Sequence, residues 1–181
     1  MLKPLARAYV KRMGARYDYD VSYLLAMLDH SPRAFFAFAK LMPLARHRES
    51  APEDAVMAAG LRGAMFEDCG PCTQLAVNVA KERGIDSRQV EAVLRRDISA
   101  MNDHVALGFR FADAILHRLP DEDEAREAVR ARWGEKGLID LTFALQISRV
   151  FPMVKAGLGY AKECRRIEVA GHPVEVAKRA A

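Results

Sequence analysis

Apolar residues recur along most of the chain at the three- and four-residue spacing that predicts amphipathic helices. One such stripe, near the beginning, consists of Val21, Leu24, Leu25 and Leu28. Strong helix formers such as Ala, Leu, Arg and Glu dominate the composition. We find no stretch with the polar–apolar alternation and turn residues that indicate strands. The pattern therefore predicts an all-α fold, a single-domain bundle of about eight to ten helices.

No linker or change of composition divides the 181 residues, so we predict one domain. Within it, residues 1–49 supply N-terminal helices that include an aromatic-rich segment suited to a packing or subunit surface. Residues 50–160 supply the core. The charged end of the chain, residues 165–181, is predicted to be a loosely held tail.

Two helix starts lie close together in the core. Ser50-Ala51-Pro52-Glu53 matches a capping box, in which the serine and the glutamate bind free amides of the first turn. The second start is Cys69-Gly70-Pro71-Cys72, where Pro71 suits the first helical position because its missing N–H would have no partner there. With Gly70 as the cap, Cys72 lies in the first turn.

The spacing of Cys69 and Cys72 predicts redox chemistry. Two thiols separated by two residues can close a small disulfide ring and cycle between dithiol and disulfide. Free amides and the positive end of the helix dipole favour a thiolate over a thiol in the first turn. The opposing interpretation is that both are small buried hydrophobic residues, as free cysteines often are.

Composition and charge narrow the class of protein. The chain carries 28 Lys and Arg against 24 Asp and Glu, for a net charge of +4 and a pI near 9.1. Because the basic residues alternate with acidic ones along every segment, we predict a solvated surface without a nucleic-acid partner. No apolar run approaches the roughly 20 residues of a bilayer span, and no secretory signal is evident. With three cysteines and no disulfide framework, we predict a cytoplasmic protein without a membrane partner.

The order of elements resembles the AhpD-like, carboxymuconolactone decarboxylase family. A capped helix precedes the cysteine pair, an Ala-rich helix follows it, and a later helix runs through Leu141 to Pro152. The likeness extends from about Ser50 to Tyr160. It implies an all-α fold, homo-oligomers and, in the AhpD branch, a dithiol that reduces peroxides or disulfides. No metal or organic cofactor is implied, and an unidentified partner must supply reducing equivalents.

The resemblance is incomplete at the proton relay. The family's peroxidase pattern has a histidine four residues after the second cysteine, where this chain has Ala76, and a glutamate about three helical turns before the first, where Met57 stands. The decarboxylase branch lacks the cysteine pair, which disfavours lactone decarboxylation. We therefore predict a dithiol–disulfide oxidoreductase, resembling an alkyl hydroperoxide reductase, that acts on a small hydroperoxide or a protein disulfide. The alternative is a non-catalytic helical scaffold that has lost the relay.

The predicted catalytic residues are Cys69, Cys72 and Glu67. A protonated Glu67 could act as an acid for a leaving thiolate or hydroxide, whereas ionised carboxylates at Glu67 and Asp68 would raise a thiol pKa. The alternative interpretation is that Glu67 and Asp68 only end the preceding helix and have no role in the chemistry. Which cysteine attacks stays open: the second attacks in the AhpD pattern and the first in thioredoxins. Thioredoxin itself is disfavoured because Asp68 replaces its tryptophan and its strands have no counterpart.

Three further sets of residues are candidates for roles at the site. Zinc would need two ligands beyond the pair, and only Cys164 and isolated histidines are available. His104 and His117 could replace the missing histidine in space, although core or surface positions are more usual. Thr73 and Gln74 could offer hydrogen bonds near the thiols.

One charged residue outside the cysteine motif is predicted to need a partner. Arg149, inside an apolar helix, needs an acid on a neighbouring helix or subunit because an unpaired buried charge is costly.

A basic DNA-binding protein is a third functional alternative. It rests on the pI alone, and salt-sensitive DNA binding would test it.

Overall fold

The computed structural model describes residues 2–161 and 166–177. In this part of the chain eight α-helices follow one another, and two short antiparallel strands come last. The helices are Leu2–Tyr17 (α1), Ser22–His30 (α2), Pro32–Ala39 (α3), Glu53–Phe66 (α4), Gly70–Glu82 (α5), Ser87–Arg95 (α6), Asp103–His117 (α7) and Glu122–Gly157 (α8). The strands are Arg166–Val169 (β1) and His172–Glu175 (β2). The prediction of a mostly all-α single domain is confirmed.

Helix α4 lies at the centre and packs against α7 and α8. Small residues allow the three backbones to approach closely. A Cβ atom built on Gly63 would lie 2.5 Å from the carbonyl oxygen of Leu145 in α8, and one on Gly108 in α7 would lie 3.1 Å from the Cα of Ala55. Glycine is therefore the residue that fits at both crossings.

Helix α8 consists of two segments joined at Gly134, whose φ of 69° lies in the left-handed region. Within the described residues it is the one helix long and apolar enough, by length and composition alone, to cross a membrane. It buries Leu141 and Leu145 completely, and it packs along α4 and α7 as core helices do. The sequence-based statement that no apolar run is long enough is thus too strict for this helix.

The fully buried carboxylate of Asp140, in α8, organises the chain just before α4. Its oxygens accept backbone N–H bonds from Glu49 (3.0 Å), Ser50 (2.8 Å) and Ala51 (2.9 Å). The Nε2 atom of His47 lies 3.5 Å from the same carboxylate. Several donors on one carboxylate offset the cost of burying it.

The predicted capping box at Ser50 is wrong. Helix α4 begins at Glu53 behind Pro52 with no side-chain cap, and the Ser50 hydroxyl donates instead to the carbonyl oxygen of Trp133 at 2.8 Å. Asp140 gathers the amides of this segment, so the segment is anchored by a distant helix and not by a local cap.

We expect Asp140→Asn to lower the free energy of unfolding by about 3 kcal/mol, because the amide nitrogen would face backbone donors and leave them unpaired in the interior. Urea unfolding would measure this loss. Asp123→Asn, whose side chain is 96% exposed at the start of the same helix, serves as the control and should leave the midpoint unchanged. Equal midpoints for Asp140→Asn and wild type would contradict the anchoring role.

The described part of the C-terminal tail is a β-hairpin. Two sequence-based predictions are therefore wrong for residues 166–177: that the tail is loosely held, and that no stretch of the chain has a strand pattern. Ile167 pairs with Val174 across the hairpin, and both side chains are buried against α5 and α6. Ala170 and Gly171, with φ of 49° and 86°, make the turn.

The N-terminal helices α1, α2 and α3 form a separate apolar cluster with part of α5. Its buried members include Val10, Tyr23, Leu28 and both cysteines of the pair. The end of α1 is fastened to α5 where the Asn78 side chain donates to the carbonyl oxygen of Tyr17 at 2.9 Å. Helices α1–α3 are called the N-terminal cover below.

Candidate active site

The two cysteines lie where the chain turns from α4 into α5. Glu67 caps the C-terminus of α4, and Asp68 takes a left-handed conformation with φ of 48°, which Asp tolerates better than most residues. Cys69 then occupies the N-cap of α5, and Gly70 is the first helical residue. The predicted cap at Gly70 is therefore off by one residue, whereas Cys72 lies in the first turn as expected.

Cys69 and Cys72 form a disulfide bond, with their Cα atoms 5.3 Å apart. Both are deeply buried: Cys69 is 1% exposed and Cys72 is 7% exposed. The two sulfurs are therefore close enough to form the disulfide ring that the spacing of the cysteines predicts. The burial, however, means that any substrate must approach through packed side chains.

Tyr19 lies directly against the disulfide. Its hydroxyl oxygen is 3.6 Å from the Sγ of Cys72, and its side chain is 6% exposed. A disulfide sulfur carries no proton, so the phenol O–H is the donor in this contact. The hydroxyl oxygen of Tyr23 lies 3.5 Å from that of Tyr19, which extends a polar path into α2.

A fully buried lysine, Lys155, makes cation–π contacts with both tyrosine rings. The Nζ of Lys155, in α8, lies 4.6 Å from the ring centroid of Tyr19 and 5.5 Å from that of Tyr23. It donates to the backbone carbonyl of Asp20 at 3.2 Å and lies 3.8 Å from the Asp20 carboxylate. The tyrosine that contacts the disulfide thus also carries a cation over its ring.

Burial keeps both phenols protonated. It raises the pKa of Tyr19, although the hydrogen bond with Tyr23 partly offsets that rise. Burial also raises the pKa of Tyr23, and the negative charge on Asp20 adds to the increase. At neutral pH both groups are therefore hydrogen-bond donors.

Glu67, the third predicted catalytic residue, is engaged by an arginine. Its Oε1 accepts a hydrogen bond of 2.7 Å from the Nε of Arg149, whose guanidinium lies 5.0 Å from the Phe66 ring centroid. This pair supplies the acidic partner on a neighbouring helix that Arg149 was expected to need. A proton-transfer role for Glu67 stays a prediction, and it would have to operate beside this ion pair.

Thr73 and Gln74 bind the backbone. The Thr73 hydroxyl donates to the carbonyl oxygen of Cys69 at 3.0 Å, inside the first turn of α5. The Gln74 amide donates to the carbonyl oxygen of Glu168 at 3.0 Å and accepts from its N–H at 2.8 Å. Gln74 therefore fastens the hairpin to α5. Ala76 likewise packs on the core cluster that contains the hairpin.

The candidate histidines lie elsewhere. His104 packs on Trp133, with ring centroids 5.9 Å apart, and His117 lies 3.4 Å from the Asp113 carboxylate. Among the residues that the structure describes, no group of three or more His, Cys, Asp and Glu side chains is arranged to hold a metal ion. Cys164, the proposed further zinc ligand, lies outside the described residues.

Sequence reasoning missed Tyr19, Tyr23 and Lys155. Lys155 carries the same signal as Arg149, a cation inside an apolar segment that needs partners. Tyr19 and Tyr23 have no such signal, because aromatic residues near a helix start usually belong to the core. The contact of Tyr19 with Cys72 arises from packing across 53 positions of sequence.

No protein-family model and no curated protein sequence matches the chain. The fold is similar to the crystal structure of the debrominase Bmp8 in its apo form, with a TM-score of 0.71 at 16% identity. The match covers 91% of this chain and 87% of that one. At this level of identity the likeness shows a shared helical fold.

Proposed function

We propose that the chain is a dithiol–disulfide oxidoreductase whose redox centre is the Cys69–Cys72 pair. The supporting observation is the disulfide at the N-terminus of α5, with the Tyr19 hydroxyl 3.6 Å from the Sγ of Cys72. A helix N-terminus and a hydrogen-bond donor both favour a thiolate. We further propose an AhpD-like origin for this site, on the sequence resemblance alone.

The proposed substrate is a small hydroperoxide. A thiolate of the reduced pair attacks one peroxide oxygen, the O–O bond breaks, and the alkoxide takes a proton to leave as an alcohol. The resulting sulfenic acid is attacked by the second thiolate, which closes the disulfide and releases water. Each turnover consumes two electrons, and an external dithiol restores them. A protein disulfide would be reduced by the same pair through a mixed disulfide.

An organobromide is a second candidate substrate, because the similar fold belongs to a debrominase. Replacement of bromine by hydrogen also needs two electrons, so a dithiol could supply them while it becomes a disulfide and bromide is released. Bromide release distinguishes this substrate from a hydroperoxide, whose reduction yields an alcohol and water.

The competing proposal is a non-catalytic helical scaffold in which the disulfide only staples α5. The burial of both sulfurs favours this alternative, since structural disulfides are commonly sealed and redox-active ones accessible. The absence of the family's histidine at Ala76 and glutamate at Met57 also supports it.

Thiol counting before and after mild peroxide separates the two proposals. The reduced wild-type chain has three thiols. We expect one equivalent of hydroperoxide to remove two of them and to form the internal Cys69–Cys72 disulfide at neutral pH. Cys164→Ser, which changes the cysteine outside the pair, should form the same disulfide, whereas Cys72→Ser should not.

Inert thiols in the folded wild-type chain would overturn the oxidoreductase proposal and favour the scaffold. Parallel incubations with an organobromide, followed by bromide measurement, test the second substrate. Disulfide formation without bromide release would exclude debromination.

Assembly into homo-oligomers also stays a proposal. The α1 side chains Leu2, Leu5 and Tyr9 are exposed, which supports a subunit surface within residues 1–49. Light scattering of wild type and of Leu5→Lys would test it, with a smaller particle expected for the variant.

A further inference from the structure

Tyr19 is held rigidly beside Cys72. Its backbone N–H donates to the carbonyl oxygen of Gly14 at 2.9 Å, and a Cβ on Gly14 would come within 3.0 Å of the Tyr19 carbonyl oxygen. The start of α2 is fixed in the same loop, where the Ser22 N–H donates to the Asp20 carboxylate at 3.0 Å. The phenol therefore meets the sulfur from a fixed loop.

In the part of the chain that the structure describes, two other helices place polar groups against Tyr19. Tyr23, in α2, brings its hydroxyl within 3.5 Å, and Lys155, in α8, lies over the ring. The Asp20 carboxylate is a nearby negative charge, and it lies 3.8 Å from the Lys155 ammonium. With its own proton directed at sulfur, Tyr19 can accept a hydrogen bond from Tyr23. This arrangement makes the Tyr19 hydroxyl a stronger donor.

We propose that Tyr19 is a catalytic residue of the redox pair, whose hydroxyl donates a hydrogen bond to Cys72 and stabilises it as the thiolate. Lys155 is a positioning residue that holds the phenol through its contact with the ring. The proposal rests on the oxidoreductase function and names the sulfur that carries the negative charge.

Reduction of the disulfide by an external dithiol leaves the negative charge on Cys72. A thiolate of an external dithiol attacks the Sγ of Cys69, the Cys69–Cys72 bond breaks, and its electron pair passes to the Sγ of Cys72. The second thiol of the reductant, as a thiolate, then attacks the mixed disulfide and releases Cys69, leaving the reductant oxidised. Tyr19 donates to Cys72 throughout and keeps its own proton, because burial raises the pKa of the phenol.

Titration of a single thiol tests the role of Tyr19. In a Cys69→Ser, Cys164→Ser background only Cys72 remains, and its ultraviolet thiolate absorbance gives its acid dissociation constant without the need for a reagent to enter. We expect Tyr19→Phe to lower that constant about tenfold, the size of one hydrogen bond to a charged group. Tyr17→Phe is the matched control, because the Tyr17 hydroxyl donates to Glu82 and not to sulfur, and it should change nothing.

A second variant keeps the test valid if Tyr19→Phe does not fold. Fluorotyrosine at position 19 preserves the shape and makes the hydroxyl a stronger donor, so it should raise the dissociation constant of Cys72. An unchanged constant in both variants would overturn the catalytic role of Tyr19. That result would leave the oxidoreductase proposal standing, since the peroxide experiment on the wild-type chain tests that proposal separately.

Discussion

Leu28→Ala is expected to speed reduction of the Cys69–Cys72 disulfide about hundredfold in the absence of denaturant. Leu28 is fully buried in the cluster that joins the N-terminal cover to the cysteines. Loss of a buried leucine side chain costs about 3 kcal/mol, and local opening of the cover becomes more frequent by the corresponding factor. The rate of bridge loss in dithiothreitol, followed by alkylation and mass measurement, would show this.

Leu141→Ala provides the matched control. Leu141 is also fully buried, but it belongs to the cluster formed with α4 and α7. Its replacement should destabilise the whole fold by a similar amount and leave the reduction rate near that of wild type, because the cover keeps its packing. Equal acceleration in the two variants would mean that the sulfurs become accessible only when the whole chain unfolds.

Gly63→Ala is expected to lower the free energy of unfolding by about 3 kcal/mol, because the added methyl group would press into the backbone of α8. A Cβ at this position lies 2.5 Å from the Leu145 carbonyl oxygen, which cannot rotate away. Urea unfolding, with its midpoint and slope, measures the loss.

Gly60→Ala tests the same helix without the clash. A Cβ at Gly60 lies 3.6 Å from the Ala144 carbonyl oxygen, an ordinary contact. Since alanine favours a helix over glycine, this variant should be more stable than wild type by about 0.5 kcal/mol. If Gly63→Ala were as stable as Gly60→Ala, the close α4–α8 crossing would be refuted.

Local signals made most of the helices predictable. Helical periodicity gave the fold class, and Pro71 marked the start of α5 to within one residue. The capping box at Ser50 failed because the buried Asp140, far along the chain, competes for the same amides. Such competition depends on tertiary contacts that a local motif does not contain.

The hairpin was predictable in part. Ile167, Val169, Val174 and Val176 alternate with polar residues on either side of a two-residue turn, which is a strand signal. The turn itself is atypical, because Ala170 occupies a left-handed position where Asn or Asp is usual. Because the tail is rich in charged residues, we interpreted it as a loosely held segment and did not recognise this alternation.

The candidate site divides in the same way. The cysteine pair follows from spacing, and the need of Arg149 for an acid follows from burial of charge, although its partner Glu67 was assigned a different role. Tyr19 and Lys155 reach the disulfide only through packing of the N-terminal cover on α5 and α8, so no local pattern identifies them.

The most direct test of the redox function compares two rates in the wild-type chain: reduction of the Cys69–Cys72 disulfide by a dithiol, and global unfolding measured by hydrogen exchange of core amides. If the pair is a working redox centre, reduction proceeds much faster than unfolding, and peroxide re-forms the bridge in the folded chain. A bridge that is reduced no faster than the chain unfolds would identify it as a structural staple and contradict the proposed function.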